Sequence, residues 1–177
     1  MFSGIDEYLF FIFFEFAGEN PLLGRIMVTI TNWSSRIFAA IYLVGIVVLL
    51  VRRSRKLIPF LIAPAVALIT VQLIRYFYVR PRPFVALEIE SLINHGPTGS
   101  FPSRHAVGAF VIAAVIWQTN KWAGKILFLL AAVTGLSRIM VGVHYPLDII
   151  AGALLAVAVG LAVFAIQQRR LAEESKE

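Results

Sequence analysis

The chain contains no cysteine. Disulfides, thiol nucleophiles and thiolate metal sites are therefore excluded, while the redox compartment stays open. Charge is scarce as well: 15% of the 177 residues are Asp, Glu, Lys or Arg, against 59% that are hydrophobic. A soluble domain of this length has too little interior for so much apolar surface. Because the apolar residues also fall in long runs, the chain reads as a polytopic membrane protein whose solvent is lipid. Its start lacks the basic residues and small-residue cleavage pattern of a signal peptide, so no processing is expected. There is no repeat at a fixed period and no low-complexity segment. A net charge of +6 would suggest nucleic acid in a soluble protein. In a membrane chain it reads instead as cytoplasmic anchoring loops plus a basic pocket, with no nucleic-acid partner.

The expected fold class is an all-α polytopic membrane helical bundle, one integral-membrane domain over residues 1–177. It would have about five transmembrane helices and a short or broken N-terminal helical segment, a six-helix core in total. Residues 1–31 read as one broken span or two short, partly interfacial helices, because the apolar stretch 8–16 carries Glu15 and Glu19-Asn20-Pro21 separates it from 22–30. Residues 37–51 are an uninterrupted apolar run ended by Arg52-Arg53-Ser54-Arg55-Lys56. Residues 57–79 form the next span, with Pro64 kinking it and Arg75 towards its far end. The polar, Pro- and Gly-rich stretch 80–101 reads as a loop with one short helix around 87–93. Ser103 fits the N-cap of a span running to about Thr119. Another span covers 122–143, and the last runs from Pro146 to about Ile166, with a charged tail over 169–177.

The basic loops at 52–56 and 120–125 and the tail alternate onto one face and hold more than half of the sixteen Lys and Arg. That face is cytoplasmic by the positive-inside rule. The other face receives Arg75, Arg80, Arg82, Arg104, Arg138, His95, His105, His144 and Asp148. Basic residues there oppose the orientation signal, and an anionic ligand supplies a reason for them.

The stretch GLSRIMVGVHYPLD, residues 135–148, places Arg138, His144 and Asp148 inside or beside long apolar segments. At membrane depth each such group costs about 3 kcal/mol or more unless it has a partner or a task. Pro146 fits a first helical position, so a helix starts near Tyr145 with Asp148 in its first turn and His144 just outside it. Asp148 is then close enough to hold the imidazole in one tautomer, which makes a histidine a nucleophile or a directed base. In Phe101-Pro102-Ser103-Arg104-His105, Ser103 can offer its hydroxyl and the free N–H groups of a helix N-terminus to a phosphate. His105 can protonate a leaving oxygen. Arg104 is either a phosphate contact or a headgroup contact. Arg75 and Arg82 lie seven apart, so a helical stretch would keep them on one side, and guanidinium forks match phosphate oxygens. Blander readings stand beside these: a snorkelling Arg75, interfacial Arg80 and Arg82, a plain Ser103 cap, and packed polar groups at the boundary. Arg80 keeps the interfacial reading, and His95 that of a solvated loop histidine. Zinc would want three or four His, Asp or Glu ligands, and a cation sits badly amid arginines, so neither a metal nor any other cofactor is expected.

Taken together, Arg75-x6-Arg82-Pro83, Pro102-Ser103-Arg104-His105 and Ser137-Arg138-x5-His144-x3-Asp148 resemble, in order, the three signature motifs of the type 2 phosphatidic acid phosphatase superfamily. The resemblance extends over roughly residues 20–168. The wording PRPFVA, SFPSRHAVGAF and GLSRIMVGVHYPLDIIAG is most similar to bacterial undecaprenyl diphosphate phosphatases of the bacitracin-resistance type. Two positions depart from the pattern: Arg75 stands where Lys is usual, and Arg104 where Gly or Asp is usual. The resemblance implies a metal-independent lipid phosphatase in the bacterial cytoplasmic membrane, with its site facing outside. His144 would attack phosphorus and become a phosphohistidine, and Asp148 would orient it. His105 would protonate the leaving group and then activate water. Arg75, Arg82 and Arg138, with Ser103, would hold the phosphoryl oxygens, and Ser137 would add a hydrogen bond or pack. The implied substrate is undecaprenyl diphosphate, with phosphatidylglycerol phosphate, phosphatidate or a lipid A phosphate as alternatives. Arg104 beside the histidine would favour a second phosphate. An anion or lipid transporter is the competing class; it leads one to expect inverted repeats or broken spans in matching halves, which the chain does not show.

Overall fold

In the computed structural model, which describes residues 2–175, the described residues form seven helices and no strand. They are α1 (Phe2–Glu19), α2 (Pro21–Val51), α3 (Leu57–Phe77), α4 (Pro83–Ala86), α5 (Arg104–Trp117), α6 (Lys121–Met140) and α7 (Pro146–Glu174). Four of these, α2, α3, α6 and α7, are long and apolar enough to cross a membrane. The chain is a multi-pass membrane protein. Leu73, Leu129 and Leu154 stay exposed on its flanks, where lipid tails are as apolar as they are.

Helix α5, with 14 residues and about 21 Å of length, is the axis of the bundle and packs against α2, α3, α6 and α7. Its buried residues are small, among them Ala106, Ala109, Ala113 and Ala114. Facing them on α7, Gly152, Ala156 and Gly160 recur every fourth residue and are buried. A Cβ on Gly160 would stand 2.9 Å from the Ala114 Cβ, and one on Gly152 would stand 3.2 Å from the Ser103 carbonyl oxygen. Small residues at this spacing let two backbones approach closely, which is how helices associate without a hydrophobic force between them. The α5 N-terminus, where His105 sits, is thus held against the start of α7.

Several boundaries differ from the sequence expectation. The N-terminal region holds two helices, but α2 does not stop near residue 30; it runs unbroken to Val51. The polar residues past residue 30 are satisfied within the bundle: Thr31 and Ser34 are buried, and the Thr31 hydroxyl lies 2.8 Å from that of Ser137 on α6. Pro21 does open α2 as its first residue, where the missing N–H is harmless. The short helix of the long loop is α4, with Pro83 first, and not the stretch 87–93. There Glu88 takes a left-handed φ of 53°, and the Leu92 N–H bonds across to the Val141 carbonyl at 3.0 Å. Helix α3 stops at Phe77 and α6 at Met140, short of the expected Val79 and Val143, because Arg80-Pro81-Arg82-Pro83 and Gly142 end them. Gly142 has φ +88°, and a side chain there would meet the Phe14 ring at 2.9 Å.

At one end of the bundle the basic loops and the last helix meet, with Lys56 Nζ donating to the Gln118 carbonyl at 2.7 Å and the Gln167 amide donating to the Arg55 carbonyl. The site lies at the other end.

Candidate active site

The turn between α6 and α7 sets the geometry. Val141 and Gly142 close the last turn of α6, the Val143 N–H bonds back to the Arg138 carbonyl at 3.2 Å, and Pro146 opens α7. His144 is left between the two helices, 1% exposed. Asp148, in the first turn of α7, turns back towards it: Oδ2 accepts the Tyr145 N–H at 2.9 Å and lies 3.3 Å from His144 Nδ1. On the other side of the ring, Nε2 is 3.2 Å from Arg82 Nη1. A guanidinium can only donate. Nε2 must therefore be the acceptor, which puts the ring proton on Nδ1, aimed at Asp148. Burial, with the fields of Arg82 and Arg138 after it, pushes the imidazole well below its usual range. The result is a neutral histidine with a lone pair at Nε2 and its other nitrogen held by a carboxylate.

Arg82 owes its position to the loop, not to a helix. It precedes α4 in extended backbone, so the expectation that a helical stretch keeps Arg75 and Arg82 on one side is not met. The chain instead folds 98–100 over 80–82. The Ser100 N–H bonds to the Arg80 carbonyl at 2.8 Å, and Arg82 Nε bonds to the Thr98 carbonyl at 2.9 Å. Arg82 Nη1 also donates to the Val143 carbonyl at 2.8 Å. Burial first, and Arg75 next, push this guanidinium down to about 10, so it remains cationic at neutral pH. Arg75, near the end of α3, donates to the carbonyls of Pro102 at 3.1 Å and Gly99, holding the loop that leads into α5.

Arg138 is different. It is 2% exposed, and its Nε and Nη2 have no hydrogen-bond partner among the described residues. A buried donor left unmade costs about 1–3 kcal/mol, more when charged.

The α5 N-terminus completes the site. Ser103, fully buried, accepts the Ala106 N–H at 3.4 Å as an N-cap, and its own N–H bonds to the Asp148 carbonyl at 3.1 Å. Half-buried His105 and exposed Arg104 border a cleft of about 210 Å³ that continues along Phe38, Gly108 and Thr134. Phe38, Ala39, Ala109 and Ile112 give the cleft a largely apolar wall. The Ser137 hydroxyl is turned away: it donates to the Thr134 carbonyl at 2.8 Å and meets Thr31, joining α6 to α2.

Two sequence readings change here. Arg80 is not an interfacial anchor. It forms ion pairs with Asp6 at 2.7 Å and with Asp148 at 3.0 Å, and its guanidinium stacks 3.9 Å above the Tyr145 ring. His95 is half-buried, with Nδ1 3.0 Å from the Gly96 carbonyl. Burial lowers its pKa against the effect of that bond, and Arg82, Arg138 and Arg104 lower it further, so it sits in the field of the basic pocket. The sequence reading missed Asp6 and Thr98. For Asp6 a signal existed: a carboxylate just ahead of a long aromatic run, fully buried in the structure.

Residues 56–172 match the family model of the PAP2 superfamily. The chain belongs to that superfamily. This PAP2 chain is similar to undecaprenyl-diphosphatase BcrC of Bacillus subtilis (strain 168), with 36% identity over 151 residues, 82% of this chain and 76% of the relative. Among solved structures it is similar to Aquifex aeolicus LpxE, with a TM-score of 0.74 and 29% identity over 89% of this chain and 93% of that one. It also shares its fold with a PAP2 type phosphatidylglycerolphosphate phosphatase from Bacillus subtilis, with a TM-score of 0.76 and 22% identity over 94% and 86% of the two chains. The PAP2 match includes Arg75, Arg82, Ser103, His105, Arg138, His144 and Asp148. Asp6 lies outside it.

Proposed function

We propose that this PAP2 chain is a lipid phosphatase that hydrolyses undecaprenyl diphosphate to undecaprenyl phosphate through a phosphohistidine, without a metal, at the outer face of the bacterial cytoplasmic membrane. The observation that carries the reading is Arg138. A buried guanidinium with two donors unused among the described residues, near a neutral histidine of defined tautomer, is a place prepared for an anion. A phosphoryl group supplies the oxygens that Arg138 lacks.

His144 Nε2 attacks the terminal phosphorus, and the bond from phosphorus to the bridging oxygen breaks. Undecaprenyl phosphate departs with any proton it needs from His105. Water, losing a proton to His105, then attacks the phosphohistidine, and the P–N bond breaks to release phosphate. Throughout, Asp148 holds Nδ1–H and stabilises the positive charge on the ring. Arg75, Arg82 and Arg138 neutralise the phosphoryl oxygens, the largest contribution in phosphoryl transfer, and free N–H groups of the first turn of α5, next to Ser103, add to it. Arg82 Nη1 covers the Nε2 lone pair. An arriving phosphoryl oxygen takes over that donor and uncovers the nucleophile. Arg104, exposed at the mouth of the cleft, supports a substrate with a second phosphate, and Ser137 serves packing.

The test is phosphate release by purified protein in detergent with EDTA, from undecaprenyl diphosphate, phosphatidylglycerol phosphate and phosphatidate, for wild type and His144→Ala. EDTA-resistant release that prefers the diphosphate and vanishes in the variant is expected. Preference for a phospholipid would move the substrate assignment. No release by folded protein would overturn the enzymatic reading.

A further inference from the structure

Asp148 has two carboxylate oxygens and divides them. Oδ2 serves His144 and the Tyr145 N–H, and Oδ1 accepts from Arg80 Nη1 at 3.0 Å. The same guanidinium gives its Nη2 to Asp6 Oδ2 at 2.7 Å. Asp6 spends its other oxygen on the Leu147 N–H at 2.9 Å, one of the free donors at the start of α7. The side chains of Asp6 and Asp148 are 1% and 0% exposed, and that of Arg80 is 17% exposed. A chain of contacts thus runs from α1 through Asp6, Arg80 and Asp148 to His144, crossing most of the sequence.

Resting on the phosphatase reading above, we propose that Asp6 and Arg80 are positioning residues for the His144–Asp148 pair, so that helix α1 is part of the catalytic apparatus. Arg80 fixes the rotation of the Asp148 carboxylate. Without it, the carboxylate would lose its charged donor and keep the neutral Ser100 hydroxyl and the Tyr145 N–H, and the group would turn or take up a proton, losing its hold on Nδ1 in either case. Asp6 limits what Arg80 does. A lone arginine here would draw charge from Asp148, weakening its support for the cationic phosphohistidine, and would be free to swing to the phosphate as an additional anchor. Shared between two carboxylates and stacked on Tyr145, it stays outside the phosphate cradle. Neither Asp6 nor Arg80 needs to touch substrate, so the effect belongs in kcat and not in KM.

The experiment measures kcat and KM for undecaprenyl diphosphate, together with thermal unfolding, for wild type, Asp6→Asn, Arg80→Gln, Arg80→Lys, Asp148→Asn and the double variant Asp6→Asn/Asp148→Asn. Asp6→Asn keeps an acceptor for the Leu147 N–H and removes only the charge. A fall in kcat of about 10- to 100-fold is expected for Asp6→Asn and Arg80→Gln with KM little changed, and Arg80→Lys should recover part of it. In the Asp148→Asn background, Asp6→Asn should have no further effect on kcat, because the two act along one chain. A purely structural tie predicts additive losses that track unfolding. The His144 Nδ1–H proton resonance gives a second readout, and it should move or broaden in Arg80→Gln at temperatures where the protein is folded. Unchanged kcat in both single variants while Asp148→Asn is inactive, or an unmoved resonance, overturns this proposal alone. A wild type that releases no phosphate, or an Asp148→Asn variant at full activity, overturns the underlying reading and this proposal with it.

Discussion

Arg138 is the residue whose substitution separates stability from function. Its guanidinium lies buried with two donors unmatched among the described residues, a cost that an anionic ligand would relieve. Arg138→Met keeps much of the volume and removes the charge. It is expected to raise the unfolding temperature in phosphate-free detergent while lowering turnover about 10²- to 10³-fold. Vanadate should raise the unfolding temperature of wild type and leave that of the variant unmoved. A destabilised Arg138→Met would show that the arginine has a structural partner after all. Sequence reasoning singles out Arg138, His144 and Asp148 as candidates because charge at membrane depth is conspicuous. It misplaces Arg80 because its two partners, Asp6 and Asp148, lie far away in sequence, and no local pattern shows that a loop arginine will reach both.

At the scale of elements, the close approach of α5 to its neighbours is what holds its first turn, with His105, against the start of α7. A Cβ on Gly124, in the first turn of α6, would come within 2.5 Å of the Trp117 Cα on α5, and backbone cannot step aside as a side chain can. Gly124→Ala should destabilise the protein by about 1–3 kcal/mol. Gly108→Ala, also on a helix but with nothing within 4 Å of the added atom, should be no less stable and gain up to about 1 kcal/mol of helix propensity. Thermal unfolding of both variants side by side checks the contrast; equal destabilisation would contradict the packing described. The same reasoning shows which elements can be read from sequence. Helices α3, α5, α6 and α7 are legible as apolar runs with Ser103 or Pro146 marking a start. Helix α2 is not, since Thr31 and Ser34 look like a polar interruption until Ser137 is seen beside Thr31. Helix α4 and the course of 87–93 are set by contacts such as Leu92 to Val141, which only the folded chain brings together.

At the scale of the whole molecule, charge is sorted to two ends for two reasons. One end carries exposed basic loops, the arrangement that the positive-inside rule places in the cytoplasm; the other buries Arg82, Arg138 and His144. The sequence already contains this division, because alternating the spans brings all three motif segments to one face. Since the natural chain has no cysteine, single cysteines report sidedness cleanly. A membrane-impermeant maleimide added to intact cells should label Asn94→Cys, and Lys121→Cys only after permeabilisation; the reverse would place the site on the cytoplasmic face. The most direct test of the central claim, that His144 attacks phosphorus, is the stereochemical course at the transferred phosphoryl group, followed with a terminal phosphorothioate made chiral by oxygen isotopes. Each in-line displacement inverts the phosphorus, so two displacements through a phosphohistidine predict net retention. Net inversion would mean that water attacks the substrate directly, and would contradict the account.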